Sequence, residues 1–428
     1  MSKKKEPKKR ERLRVLVAPS GFKESLGVRD VIDALARGVR NAVPTAKVLS
    51  LPMVDGGEDF TRTLVELSHG ELHPVTVTGP VGQPVEATLG FLGRGRKRTA
   101  VLEIAAAAGL RLVPTDMRDP TRTTSYGVGE LIGAALDLGA ERILIGCGDS
   151  GVNDAGMGMA QALGVRLLDD HGHSISGSGS GLLSLARVDV SDRDRRLSKV
   201  RIDVAVNPYN MLLGERGVAR VFGPQKGATP DQVALLDRGM ENLAHVVRRD
   251  LGIDVAPLIG GGASGGLGAG LHAFVGARLL PRFDLIRRYI DLDRRLADAD
   301  IVMTAEGGLD GQTGFGKVPA EIARRAKRYG LPVIALAGTV GAGAEATHEI
   351  GIDAFFSILR RPCSLEDAIR DADMLLANAA EQAMRLMWAG ARLRSGNGSR
   401  LHQRRRPRGY RAASPRNSLE EAKTAVNK

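Results

Sequence analysis

Short apolar runs alternate with helical stretches at both ends of the chain, and this alternation constrains the fold more than any other feature. "RVLVAP" (Arg14–Pro19) reads as a buried strand, and Val28–Val43 as a helix with apolar residues three and four apart. "KVLSLPMVDGG" (Lys47–Gly57) is a second strand running into a Gly-Gly turn, followed by a helical Asp59–Ser68. After Leu285 the rhythm returns, with a strand "DIVMTAEGG", a helix over Ala320–Tyr329, strands "PVIALAG" and "AFFSIL", and a helix over Ser364–Met387. Strands that alternate with helices pair in parallel through crossover connections. From about Pro74 the texture changes: "PVTVTGPVGQPVEATLGFL" alternates apolar and polar residues between turn signals, the pattern of antiparallel hairpins. Helices over Val128–Leu138, Met157–Leu163 and Pro230–Leu251 and a strand at Ile143–Ile145 follow, with a Gly/Ser loop over Ser174–Leu185. The chain therefore reads as two α/β domains. Residues 13–74 plus 285–390 form a parallel-sheet domain, and 75–284 an inserted, glycine-rich, mixed α/β domain. A length of 428 residues suits two domains, and 54 glycines with 4% aromatics suit α/β layers better than a β-sandwich.

The net charge of +12 looks like a nucleic-acid signal until it is located. Residues 1–14 hold 8 Lys or Arg against 2 Glu, and 391–428 hold 11 against 2, which leaves 15–390 at −3. The folded body is mildly acidic. The ends, 1–12 and 391–428, read as solvated, disordered basic tails, with weak, salt-sensitive RNA contact as the lesser reading. Met1–Arg14 is polar and basic, so no signal peptide or membrane span is expected, and two cysteines cannot build a disulfide framework. A reducing, cytoplasmic setting follows as the default.

Three glycine-rich loops carry acids. "GCGDSGVNDAG" spells G-x-G-x-x-G at Gly146, Gly148 and Gly151, but Asp149 and Asp154 lie inside the turn and would repel a pyrophosphate. One of Ser150, Asn153 and Asp154 is expected to cap the helix that starts near Gly156. "MVDGGEDF" sets Asp55 and Glu58 at a strand's carboxyl end. "TAEGGLDGQTGFGKVP" offers Glu306, Asp310 and Lys317, and approaches a P-loop except that Val318 replaces the magnesium-binding hydroxyl. Lys23 follows the first strand. "VFGPQKGA" and "IGGGASGGLGAG" add glycine-rich backbone. Acids, lysines and glycines without a redox or thiolate motif suit metal-dependent phosphoryl transfer.

The ordered blocks "APSGFKESL", "LPMVDGGED", "TTSYGVGELI", "CGDSGVNDAGMGMAQALGV", "NMLLGERGVARVFGPQKGAT", "GASGGLGAGL", "EGGLDGQTGFGKVP" and "PCSLEDA" resemble the bacterial glycerate kinase family from about Leu13 to Ala389. The resemblance implies ATP-dependent phosphorylation of D-glycerate to 2-phosphoglycerate with Mg²⁺. It also implies a Rossmann/flavodoxin-like domain from both chain ends, an inserted domain, and a site in the cleft between them. Carried onto this chain, it implies Asp154 or Asp310 to position or deprotonate the attacking hydroxyl, and Lys23 and Lys317 to hold the substrate carboxylate or nucleotide phosphates. Ser150, Asn153, Asp149, Gln312, Thr313 and Lys226 would bind substrate or nucleotide, and Asp55 with Glu306 would hold Mg²⁺. The chain departs from the family pattern at Asp149, where a glycine is usual, and at Gly308, where an arginine is. Asn207 and Tyr209 stand in a segment that normally carries two acids. Those departures keep open a related acceptor such as threonate or erythronate, or a silent ligand-binding relative. The implied partner is a small hydroxy acid, with no membrane; a homo-oligomer is compatible with the sequence.

Overall fold

The computed structural model describes residues 12–22, 25–93 and 95–396. Lys23 and nearly all of both basic tails lie outside them. In chain order the strands are β1 (Arg14–Val17), β2 (Lys47–Ser50), β3 (Glu71–Thr78), β4 (Pro84–Phe91), β5 (Thr99–Glu103), β6 (Arg142–Gly146), β7 (Arg166–Leu168), β8 (Arg187–Asp189), β9 (Arg201–Val206), β10 (Arg278–Pro281), β11 (Ile301–Leu309), β12 (Val333–Val340) and β13 (Ala354–Ser357). Both ends of the chain supply one five-stranded sheet, β13-β12-β11-β1-β2, in which every pairing is parallel. Counted within that sheet the order is 2-1-3-4-5, the flavodoxin-like arrangement. The middle of the chain supplies β10-β9-β6-β5-β4-β3, parallel from β10 to β5 and antiparallel from β5 to β3, and β7 and β8 form a separate antiparallel pair.

The central strands of the second sheet are apolar on both faces, and the structure uses both. Ala100 and Leu102 of β5, Ile143 and Ile145 of β6, and Ile202, Val204 and Val206 of β9 pack into the second sheet's own core. Their alternates Val101, Leu144 and Ala205 join the core of the first sheet, with Leu16, Met53, Phe60, Leu64 and Val302. A period of two thus turns continuous apolar runs into a shared wall between two cores. Most expected elements are present. The second strand, however, stops at Ser50, and the chain from Leu51 to Gly56 has no ladder. The expected helix over Ser364–Met387 is two helices, Leu365–Arg370 and Ala372–Gly396, broken at Asp371. Apolar spacing persists across the break, so periodicity did not mark it. Within the Gly/Ser stretch, Gly179–Ser184 winds into a 3₁₀ turn. The compact unit holding both sheets runs to Gln382; a second begins at Ala383, and its described part is the remainder of that last helix.

The helix Val28–Ala42 lies so close to the start of the last helix, residues 372–382, that a Cβ on Gly38 would sit 2.1 Å from the Ala377 carbonyl oxygen and 2.7 Å from the Ala380 Cβ. Gly38→Ala should destabilise the chain by about 1–3 kcal/mol through overpacking, read as a lower urea midpoint in equilibrium unfolding.

Candidate functional site

In the first sheet β1 and β11 are neighbours from which the chain departs in opposite directions, the kind of edge where open α/β sheets bind ligands. The loop after β11 fills this edge and is braced internally. The Asp310 N–H donates to the Thr313 hydroxyl at 3.0 Å, and the Gln312 N–H donates to Asp310 Oδ1 at 2.8 Å. Lys317 Nζ donates to the Gly308 carbonyl at 3.1 Å and to the Asp310 carboxylate at 3.3 and 3.4 Å. Thr313 is fully buried, whereas the Asp310 and Lys317 side chains keep 41% and 26% exposure, so this ion pair can meet a ligand from solvent. Gln312 is exposed.

Loops from the two sheets interlock beside it. The Glu58 N–H donates to Asp149 Oδ2 at 3.2 Å, linking the turn after β2 to the loop after β6. Asp149 adopts a left-handed backbone (φ +50°), tolerated better by Asp than by most residues. A Cβ on Gly57 would sit 1.9 Å from that same carboxylate oxygen, so Asp149 fits only over a glycine. Glu103, at the end of β5, accepts the Thr61 N–H at 2.7 Å; desolvation pushes its pKa up to about 7, aided by the nearby charges of Asp59 and Glu58. Arg282, just past β10 and 8% exposed, ties the loops together. Its Nη1 donates to the Asp55 carbonyl at 3.1 Å and to Asp55 Oδ2 at 3.2 Å, and its Nη2 donates to the Gly316 carbonyl.

The loop after β6, residues 148–154, is a buried polar knot. Lys226 Nζ donates to Ser150 Oγ at 3.0 Å, the Val152 carbonyl at 2.7 Å and Asn153 Oδ1 at 2.8 Å. Burial pushes the lysine down to about 7, partly opposed by the charge of Asp154. Asp154 has no solvent exposure and accepts four hydrogen bonds: Ser125 N–H and Oγ–H at 2.7 Å each, Gly156 N–H at 3.0 Å and Gly158 N–H at 3.3 Å. Burial raises its pKa against those bonds. Asn153 is fully buried and its Nδ2 meets no acceptor among the described residues.

The structure therefore brings the expected residues together in two groups with different work. Asp310, Gln312, Thr313 and Lys317 share one loop at the sheet edge. Ser150, Asn153, Asp154 and Lys226 form the knot, where Lys226 braces the loop and Asp154 gathers the N–H groups of Ser125, Gly156 and Gly158. Asp55, the expected Mg²⁺ ligand, accepts the Gly57 N–H at 3.2 Å and pairs with Arg282 at 3.2 Å. Glu306 lies in β11 opposite Ala337, partly buried, and is compatible with a metal-bound phosphate. Among the described residues no three His, Cys, Asp or Glu gather as a metal cage. Sequence reasoning missed Glu103 and Arg282. The acid closing the apolar strand "TAVLE" was a readable signal; an arginine in ordinary helical text was not.

The chain is similar to known proteins over most of its length. The glycerate kinase family model matches residues 15–388. A glycerate kinase of Halalkalibacterium halodurans is 45% identical over 86% of this chain and 96% of its own length. A glycerate 2-kinase of Escherichia coli is 41% identical over 84% of this chain and 94% of its own. A crystal structure of a protein assigned as glycerate kinase 2 from Salmonella typhimurium superposes with a TM-score of 0.71 at 44% identity, over 89% of this chain and all of that one.

Two expectations follow from the knot. Asp154→Asn turns an amide N–H₂ toward backbone donors and should cost about 1–3 kcal/mol, measured as a lower urea midpoint. Lys226 is held near 7 against an ordinary 10.5, so the cost of its burial is full below pH 7 and is relieved as pH rises toward 10.5. Over that window wild-type stability should rise relative to Lys226→Met, by at most about 1.4 kcal/mol per pH unit, in paired unfolding curves at several pH values.

Proposed function

The chain belongs to the glycerate kinase family and is a kinase; we propose that it transfers the terminal phosphoryl group of ATP to D-glycerate and releases 2-phosphoglycerate. The observation that carries this reading is the partly exposed Lys317–Asp310 pair on a braced loop at the first sheet's switch point. Phosphoryl transfer asks for positioning and charge neutralisation rather than covalent help from the protein. Lys317 lies against the charge of the migrating phosphoryl group, and Asp310 orients the attacking hydroxyl and receives its proton. Asn153 Nδ2, a buried donor without an acceptor among the described residues, suits an oxygen of the acceptor acid. Mg²⁺ arriving with the nucleotide would neutralise phosphate charge, with Glu306 as its protein carboxylate. The name of the Escherichia coli relative favours the 2-phosphate. The same reading implies a cytoplasmic enzyme; among the described residues no helix is long and apolar enough to cross a membrane.

The test is an ADP-release assay with D-glycerate, threonate and erythronate in parallel, and NMR of the product to locate the phosphate. Turnover on a four-carbon acid alone would reassign the acceptor, and ligand-induced stabilisation without ADP would mark a silent binder. Lys317→Ala should lower kcat by about 10²–10³, the usual loss for one donor aimed at developing charge, with the melting temperature little changed.

A further inference from the structure

The loop that ends in Lys317 is gripped from the opposite sheet. Asn207, immediately after β9, donates from Nδ2 to the Phe315 carbonyl at 3.3 Å. Its own Oδ1 accepts the Tyr209 N–H at 3.1 Å, which fixes the amide's orientation. Arg282, immediately after β10, donates to the next carbonyl, that of Gly316. Both gripping residues thus follow adjacent parallel strands of the second sheet and take consecutive carbonyls of the first sheet's loop. The Tyr209 ring meets Phe315 edge-on at 5.8 Å and 80°, and the Arg216 guanidinium lies 5.3 Å above the same ring. Two backbone carbonyls held from outside leave Gly316–Lys317 little freedom, and Lys317 Nζ must reach Gly308 and Asp310 from there.

We propose that Asn207 and Arg282 are positioning residues for phosphoryl transfer: from across the cleft they fix the backbone that aims Lys317. The proposal rests on the kinase reading of the Lys317–Asp310 pair. It assigns Arg282 a second task besides pairing with Asp55, and it assigns Asn207 a role that an aspartate cannot fill, since a carboxylate has no N–H to give the Phe315 carbonyl.

Asn207→Asp and Arg282→Lys test it, the first on a partly exposed residue whose replacement is isosteric, the second keeping charge but losing the planar fork. In each, kcat should fall by about tenfold or more while KM for the hydroxy acid stays within about twofold, the signature of lost alignment rather than lost binding. Amide hydrogen exchange in the 310–317 peptide should quicken severalfold, while the melting temperature of Asn207→Asp stays near wild type. Unchanged kcat per folded molecule in both variants overturns the proposal, as does unchanged exchange in 310–317. Should the wild type turn over none of the hydroxy acids, the functional reading fails separately, and the exchange measurement still decides whether the grip exists.

Discussion

The two sheets are joined at their carboxyl ends because backbone can lie directly on backbone there. The turn Asp55–Glu58 and the loop Gly146–Asp149 approach so closely that a Cβ on Gly148 would stand 2.8 Å from the Gly57 nitrogen. That contact brings the Glu58 N–H onto Asp149, and it brings the helix Phe60–Ser68 to where Glu103 accepts the Thr61 N–H. It also sets the Asp55 carbonyl within reach of Arg282. The meeting of the loops depends on this seam, since side chains on separate sheets converge only where the sheets are held together. The literal G-x-G-x-x-G is thus a packing device, and Asp149, the residue that least suited a phosphate cradle, is its cross-link.

Buried charge concentrates around the seam. Lys226, Asp154 and Arg282 are each under 10% exposed, and each is held by several hydrogen bonds rather than by a single counter-ion. Taking a charge out of water is costly, and a compensated buried charge commonly adds little net stability over apolar packing. Such groups instead specify geometry, because every lost partner leaves a donor or acceptor unsatisfied in a dry place. Lys226 Nζ lies within hydrogen-bond reach of three acceptors of one loop, which no apolar side chain of its size could bridge. That loop therefore keeps one shape beneath the surface while Asp310 and Lys317 stay partly exposed for exchange with solvent.

Much of this was legible in the sequence. The apolar runs at both ends gave the strands of the parallel sheet, and the family resemblance from Leu13 to Ala389 agrees with the matched family model. The loops bearing Asp55, Asp149 and Asp310 were legible as acids among glycines, and each follows a strand in the fold. What sequence could not assign was direction. Asp154 and Asp310 look alike as acids in glycine-rich loops, yet one points into four donors under the surface and the other toward solvent. Lys226, in a Pro-Gln-Lys-Gly segment, resembles a surface lysine, and only the fold sets Ser150, Val152 and Asn153 around it. Arg282 owes its place to β10, a strand of four residues with no alternation to announce it.

The departures from the family pattern acquire a common physical sense in this geometry. The resemblance expects acids where Asn207 and Tyr209 stand, and both residues contact Phe315, the first through its carbonyl and the second through its ring. An acid at 207 would set a carboxylate against a carbonyl oxygen, a repulsion that would push the two loops apart. An acid at 209 would remove the edge-on aromatic contact. Replacing two anions by a donor and a ring converts a repulsive edge into an adhesive one, and Arg282 adds a cation to the same edge. The charge that the pattern loses near β9 is therefore not simply restored by Asp149 near β6, because Asp149 is spent on the Glu58 N–H. The edge facing Gly316 and Lys317 thus carries a neutral amide, a ring and a cation where the pattern carries two anions.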